Sequence, residues 1–310
     1  MTKASCRKAF TSTLQVVARQ RPDIWAVATD SRGSVTISPF FNELTEQSVE
    51  LGIAEQNAVA VAAGISLTGK NVFVTGPAAF LAARSFEQVK VDVAYNEANV
   101  KIIGVSGGVS YGPLGGTHTS LHDIASMRAL PNIRVYIPSD AVQASAVTKH
   151  LTDYKGPVYM RTGRGDVEVV YPEGEAFEME KAKIIRDGSD AAIIACGEMV
   201  YHAKLAGDLL ADRGINVRVI DMFCIKPLDA ETIIKAARET KALVTVEEHS
   251  VFGGLGEAVA HIVVENAPAP MKILGFPDEE YKIGNSTELF DYYGLTAKKI
   301  AGGVLRLLEK

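Results

Sequence analysis

The chain has 310 residues, 47% of them hydrophobic and 22% charged, with a formal net charge of -5. That length has room for two α/β domains and a sizeable core, and interspersed acids and bases without a basic stripe argue against a nucleic-acid partner. The apolar runs are strand-length or broken by glycine, and the opening MTKASCRKAFTSTLQ has no long apolar segment, so no membrane span and no secretory signal are expected. Three scattered cysteines, Cys6, Cys196 and Cys224, form no CxxC pair, which fits reduced thiols in the cytoplasm better than a disulfide framework or a metal site.

In chain order, Phe10, Leu14 and Val17 share one helical face. The apolar run Ile24 to Ala28 predicts a strand that stops at Thr29-Asp30-Ser31. Ala54 to Leu67 reads as a buried helix, Asn71 to Val74 as a strand, Phe80 to Tyr95 as one helix and Val100 to Val105 as another strand. Residues 106–118, SGGVSYGPLGGTH, are too rich in glycine for a regular element. Leu121 to Leu130 predicts a short helix ended by Pro131, and Ile133 to Ile137 a strand. Ser139 or Asp140 can cap the next helix, and Pro157 to Met160 closes the unit as a strand.

Residues 164–184 break this pattern with Glu, Gly and Pro172. A second series follows, with strands at Ala191 to Ala195, Val217 to Ile220 and Leu243 to Val246. Its helices are expected over Met199 to Arg213, Asp229 to Thr240, Glu257 to Glu265 and Ala297 to Leu308, the last capped by Thr296. The fold class is therefore α/β, with largely parallel sheets flanked by helices. The expected division is a first domain over 1–165, a linker over 166–184 and a second domain over 185–310.

Ligands of open α/β sheets bind beyond the carboxyl ends of the strands. Asp30, the segment around Glu55, the 106–118 loop and Arg161 all collect there. Pattern alone predicts a site without naming a reaction.

The run Glu50-Leu51-Gly52-Ile53-Ala54-Glu55-Gln56-Asn57 closely resembles the G-I-x-E signature of the pyrimidine-binding domain of the transketolase family, and the resemblance covers essentially the whole chain in order. It implies thiamine diphosphate as cofactor. It also implies that Glu55, with Ile53 beside it, hydrogen-bonds N1′ of the aminopyrimidine and favours the imino tautomer that removes the thiazolium C2 proton. A sheltered site that disfavours the charged carboxyl suits that work. Taken alone, Glu55 also reads as a glutamate favoured by a helix N-terminus. The segment Thr75 to Phe80 followed by Arg84-Ser85-Phe86-Glu87-Gln88 resembles the family stretch whose aromatics pack on the pyrimidine. Phe80 matches one of them, and Pro77 stands where the family often has another.

Gly115-Gly116-Thr117-His118 resembles the family's G-P-T-H loop, so His118 is expected at the ketose oxygens. His122 is read as structural. Arg7, Ser34 and Arg161 fall where the family binds the distal phosphate of its sugar, and a guanidinium fork suits a phosphate or sulfonate. Asp30 matches an aspartate near the substrate channel and is expected to position Arg7. Two substrate positions depart from the family: Ser106 replaces a histidine, and Leu114 replaces an aspartate that reads a sugar hydroxyl. Loss of a polar reader alters selectivity and points to an unusual ketose, such as 6-deoxy-6-sulfofructose or a branched sugar phosphate.

Val219-Ile220-Asp221-Met222 with Lys226-Pro227-Leu228, and Val246-Glu247-Glu248-His249 with Gly253-Gly254-Leu255-Gly256, resemble the family's C-terminal domain. That domain supports the dimer, so His249 is read as structural or at a domain interface, and Cys196-Gly197 as a tight turn. The Gly-Asp-Gly segment followed by Asn, which holds the diphosphate and Mg2+ in the family, does not occur here. The resemblance therefore implies a split enzyme, with no metal ligands in this chain. A partner subunit would carry the diphosphate-binding domain and Mg2+, in an α2β2 heterotetramer acting on anionic sugars. Alternative readings are the β subunit of a 2-oxoacid dehydrogenase, a 1-deoxyxylulose-5-phosphate synthase-like enzyme, and a scaffolding or regulatory paralogue without activity.

Overall fold

The computed structural model describes residues 2–309. Its strands are β1 (Lys3–Ser5), β2 (Ile24–Ala28), β3 (Ser48–Glu50), β4 (Asn71–Pro77), β5 (Val100–Val105), β6 (Arg134–Tyr136), β7 (Val158–Thr162) and β8 (Asp166–Glu168) in the first part of the chain. The second part has β9 (Lys183–Arg186), β10 (Ala191–Ala195), β11 (Val217–Asp221), β12 (Cys224–Lys226), β13 (Leu243–Ser250) and β14 (Met271–Phe276). They build a seven-stranded sheet in the order β12-β6-β7-β5-β4-β2-β3, a five-stranded sheet in the order β14-β13-β10-β11-β9, and a β1-β8 ribbon. Both large sheets are parallel except for one antiparallel edge each, β12 and β9.

Burial explains the parallel arrangement. Every residue of β4, β5, β7 and β10 is buried, as expected for strands covered by helices on both faces. On one face of the larger sheet, Phe10 and Leu14 of the helix Cys6–Ala18 pack with Phe73, Ile103 and Val147. On the other, Ala58 and Ala62 of the helix Glu55–Ser66 pack with Val72, Val74 and Ile102. Asp140 caps the helix Ala141–Asp153 by accepting from the Gln143 N–H at 2.8 Å. Thr296 precedes the helix Ala297–Leu308 without a side-chain capping bond.

The expected helix from Phe80 to Tyr95 is divided. A turn of helix spans Ala78–Ala83, and after Ser85 a short α segment, Phe86–Gln88, runs into a π-helix, Val89–Tyr95. The buried Ser85 hydroxyl donates to the Leu81 carbonyl at 2.6 Å, competing with the backbone ladder at the break.

The expected linker is partly structured. Residues 166–168 pair with Lys3–Ser5, and Lys183 begins an edge strand of the second sheet. Cys224–Lys226, from beyond the linker, adds the edge strand next to β6 of the first sheet. Strands this short that lie at an edge and lack an all-apolar run carry no readable pattern, so only the fold reveals them. No helix among the described residues is long and apolar enough to cross a membrane.

Candidate active site

The parallel strands of the larger sheet end together, at Ala28, Pro77, Val105 and Thr162. The segments leaving those ends carry the residues singled out in the sequence. Two of the residues just past these ends adopt left-handed backbone without being glycine: Asp30 at φ 57° and Ser106 at φ 61°. Such strain gathers where a site over-determines the chain.

Glu55 opens the helix Glu55–Ser66, whose N-cap residue Ala54 offers no side-chain bond. A carboxylate in the first turn meets the positive end of the helix dipole. Glu55 is 1% exposed, and its Oε2 accepts from Arg84 Nη1 at 2.7 Å. Arg84 lies in the break after Ala83, and its guanidinium sits 5.5 Å from the centre of the Phe80 ring. Phe80 is half-buried and meets the His118 ring edge-on at 5.2 Å. His118 Nδ1 shares a 2.9 Å hydrogen bond with the Thr117 hydroxyl, and its ring lies 5.7 Å from Tyr111. Glu55, Arg84, Phe80, His118 and Tyr111 thus form one continuous string of contacts along the strand ends.

Other expected residues sit differently. Ile53, which follows Gly52 at φ 71°, is 75% exposed, so on this chain alone it faces outward. Leu114 lies in the short 3-10 turn Gly112–Thr117 and is also exposed, whereas Ser106 is buried. Arg7 donates to the Ser34 carbonyl, which brings these two together. Asp30 was expected to position Arg7, but its side chain is exposed and makes no bond to Arg7. Its N–H donates to Glu50 Oε1 at 2.7 Å, which ties down the turn instead.

Arg161 is the larger correction. It was expected at the sugar's anionic tail, yet it is only 4% exposed. Its guanidinium donates to Asp123 at 3.2 Å, to the Glu248 carbonyl at 2.9 Å and to the Glu248 carboxylate at 3.3 Å. Burial alone would lower the Arg161 pKa, but the two carboxylates overcome it and raise it. Burial alone would raise Asp123, and Arg161, His249 and a 2.6 Å bond from Tyr159 hold it below the usual range. The guanidinium therefore bridges the two halves of the chain. Gly108 permits this bridge, since a Cβ there would lie 2.1 Å from the Glu248 carboxyl carbon.

His249 belongs to the same boundary. Its Nε2 accepts from the Ala125 N–H at 3.3 Å and its Nδ1 faces the Ser250 carbonyl at 2.8 Å, the pattern of one neutral tautomer. Burial pushes its pKa down to about 4, in keeping with a structural role.

Two residues of this string were given no role by the sequence: Arg84 and Tyr111. The first carries a signal in hindsight, four residues after Phe80, the spacing that puts two side chains on one helical face. Tyr111 gave none, because a glycine-rich loop has no periodicity from which direction can be read. Among the described residues, no group of three or more His, Cys, Asp and Glu is placed to hold a metal ion.

Comparisons with known proteins give the family. The family described as transketolase, pyrimidine binding domain, matches residues 2–169, and transketolase, C-terminal domain, matches residues 180–300. The chain is 54% identical to a subunit of the apulose-4-phosphate transketolase of Phocaeicola vulgatus, covering 99% of this chain and 98% of that one. It is 34% identical to the 6-deoxy-6-sulfo-D-fructose transketolase subunit SqwH of a Clostridium species, over 98% and 94% of the two chains. Among solved structures it resembles a split gene transketolase described as an inactive beta4 tetramer, with a TM-score of 0.90, 36% identity and 99% coverage of both chains.

Proposed function

The chain belongs to the transketolase family as a subunit of a split enzyme, and on that premise we propose that it is the half that grips the aminopyrimidine end of thiamine diphosphate. The observation that carries the reading is the buried Glu55 carboxylate at the strand ends, pinned by Arg84 beside the half-buried Phe80 and His118. A sheltered carboxylate with an aromatic face next to it suits a flat heterocycle that must be hydrogen-bonded at one nitrogen.

When bound, thiamine diphosphate supplies the electron sink that lets a ketose break between C2 and C3. This chain's residues orient and move protons around that event. Glu55 holds a proton at the pyrimidine nitrogen, Phe80 packs on the ring, and His118 exchanges protons with the ketose oxygens. Arg7, steadied by Ser34, meets the anionic tail of the sugar, while Ser106 and Leu114 line the carbon chain where a polar reader is replaced by an apolar one. Ile53, exposed here, would reach the cofactor when a partner covers it.

No Gly-Asp-Gly segment followed by Asn occurs in the sequence, and the described residues hold no cluster of metal ligands. On this reading the diphosphate and Mg2+ are held by a partner subunit, two copies of each chain assemble, and the complex works in the cytoplasm. A branched ketose phosphate is the favoured donor, supported by the 54% identity to a chain of an apulose-4-phosphate transketolase.

The test is ketol transfer with Mg2+ and thiamine diphosphate, using this chain alone and mixed with the product of the adjacent open reading frame. Activity is expected only in the mixture, with apulose 4-phosphate preferred over xylulose 5-phosphate. Activity from the single chain would sink the split-site reading, and a clear preference for xylulose 5-phosphate would sink the choice of donor.

A further inference from the structure

The 3-10 turn Gly112–Thr117 carries Leu114 and delivers His118. Among the described residues, every hydrogen bond made by residues 112–118 closes within 109–119. The Gly112 N–H reaches the Val109 carbonyl at 2.8 Å, the Leu114 N–H the Tyr111 carbonyl at 2.8 Å and the His118 N–H the Gly115 carbonyl at 3.0 Å. A turn bonded only to itself takes its place in the molecule from packing.

What packs on its backbone comes from the second half of the chain. The connection over 277–285, between β14 and the helix Ser286–Tyr293, crosses the turn. A Cβ on Gly112 would lie 2.2 Å from the Gly284 carbonyl oxygen, one on Gly116 would lie 2.8 Å from Tyr281 Cδ2, and one on Gly115 would lie 3.6 Å from Ile283 Cγ1. The first two approaches leave no room for a side chain on the turn. At its base, the Ser286 hydroxyl donates to the Val109 carbonyl at 3.2 Å.

The connection is itself anchored to the second half. The Asn285 N–H donates to Glu288 Oε2 at 2.9 Å and the Glu288 N–H to Asn285 Oδ1 at 3.0 Å, a reciprocal cap that fixes its end. The Tyr293 hydroxyl meets the Lys282 backbone and Glu279. Tyr281 is nevertheless 50% exposed, so its ring does little for the core. Its contact is with the turn.

Phe80 and Tyr111 meet the His118 ring, whereas Tyr281 and Gly284 meet the backbone that delivers it. We propose that Tyr281, backed by the anchored connection, is a positioning residue for His118, so that the second half of the chain sets where that imidazole stands. The role of His118 at the ketose rests on the transketolase reading; the mechanical coupling of the turn to Tyr281 does not.

The first test needs no activity. Hydrogen–deuterium exchange is followed in the full chain for wild type, Tyr281→Ala and Tyr281→Phe. The half-exposed position lets both variants fold. In Tyr281→Ala the amides of 112–118 should exchange about threefold faster or more, with the central strands β4 and β5 unchanged. Tyr281→Phe should match wild type, since a ring carbon makes the contact. Unchanged exchange over 112–118, or the same acceleration throughout the chain, overturns the proposal.

The second test is a double-mutant cycle in the assembled two-chain enzyme. Tyr281→Ala should lower kcat for ketol transfer about tenfold, Tyr281→Phe should restore it, and the concentration of thiamine diphosphate needed for half-activity should not move. In a His118→Gln background the same Tyr281→Ala change should cost little more, because the two residues act as one unit. Effects that multiply independently overturn the positioning role. Full activity of His118→Gln, or no ketol transfer by the wild-type complex, overturns the functional reading instead, and the exchange measurement still judges Tyr281.

Discussion

Two arginines that pair with buried carboxylates do different work, and their surroundings tell them apart. Glu55 pairs with Arg84, which is half in solvent, and it sits beside aromatic rings at the strand ends. Asp123 and Glu248 pair with Arg161, whose side chain is 5% exposed. Removing one partner from a buried ionic group leaves the others uncompensated and costs about 3–5 kcal/mol, while a pair open to water contributes less than about 1 kcal/mol. Arg161→Met should therefore shift the urea midpoint strongly. Glu55→Gln, whose arginine partner is half in solvent, should shift the midpoint less and reduce ketol transfer by the two-chain enzyme by roughly 10²–10⁴. Equal effects of the two substitutions on stability would contradict the division of labour. The identities of Glu55, Phe80 and His118 were legible in the sequence through their motifs. The fate of Arg161 was not, because a guanidinium next to a strand end reads the same whether it faces a ligand or a carboxylate from the other half of the chain.

At the scale of elements, the helices and central strands followed from apolar spacing, and the misreadings fell where spacing is silent. The break at Arg84 and Ser85 carries the site, since it aims Arg84 at Glu55, yet both residues are compatible with an unbroken helix. Asp140 shows how one cap ties elements together. Its Oδ1 accepts from Gln143 N–H, and its Oδ2 accepts from the Val170 and Tyr171 N–H groups at 2.8 and 2.9 Å. It caps a helix and fastens the connecting segment at once. Asp140→Ala should cost about 2–3 kcal/mol, above an ordinary cap, as measured from denaturant unfolding. A loss no greater than an exposed cap would show that the connecting segment finds other partners.

The whole molecule is held across its middle by buried acids. Asp221, at the end of β11, is fully buried and accepts from Gln143 at 2.9 Å and Tyr171 at 2.7 Å, so it joins the second sheet, a helix of the first half and the connection between them. Its second oxygen has no partner. Burial pushes the Asp221 pKa up to about 7, against the lowering effect of its hydrogen bonds. Burial likewise raises Glu247 to about 7. A raised carboxyl pKa means that the folded state binds more protons than the unfolded one between the two pKa values. Its stabilisation is full below the unfolded value and is lost as pH climbs through the folded one. The chain should thus lose stability as pH rises from about 4 to about 7, each such group contributing a slope of up to about 1.4 kcal/mol per pH unit. Asp221→Asn should remove one group's share, so that its melting temperature gains on wild type between pH 5 and pH 8. A constant difference across that range would rule out the buried neutral acid.

The sequence by itself determined the α/β class, the succession of central strands and helices, and the motifs that single out Glu55, Phe80 and His118. Periodicity is a local property, and the motifs are short runs whose chemistry depends on residue type. The tertiary structure decided which charges face each other. It moved Arg161 from the substrate to the boundary, put Arg164 and Arg7 on one cleft, and sent Cys224–Lys226 back to edge the first sheet. Those outcomes depend on desolvation and on partners distant in the chain, and neither leaves a mark on the local pattern.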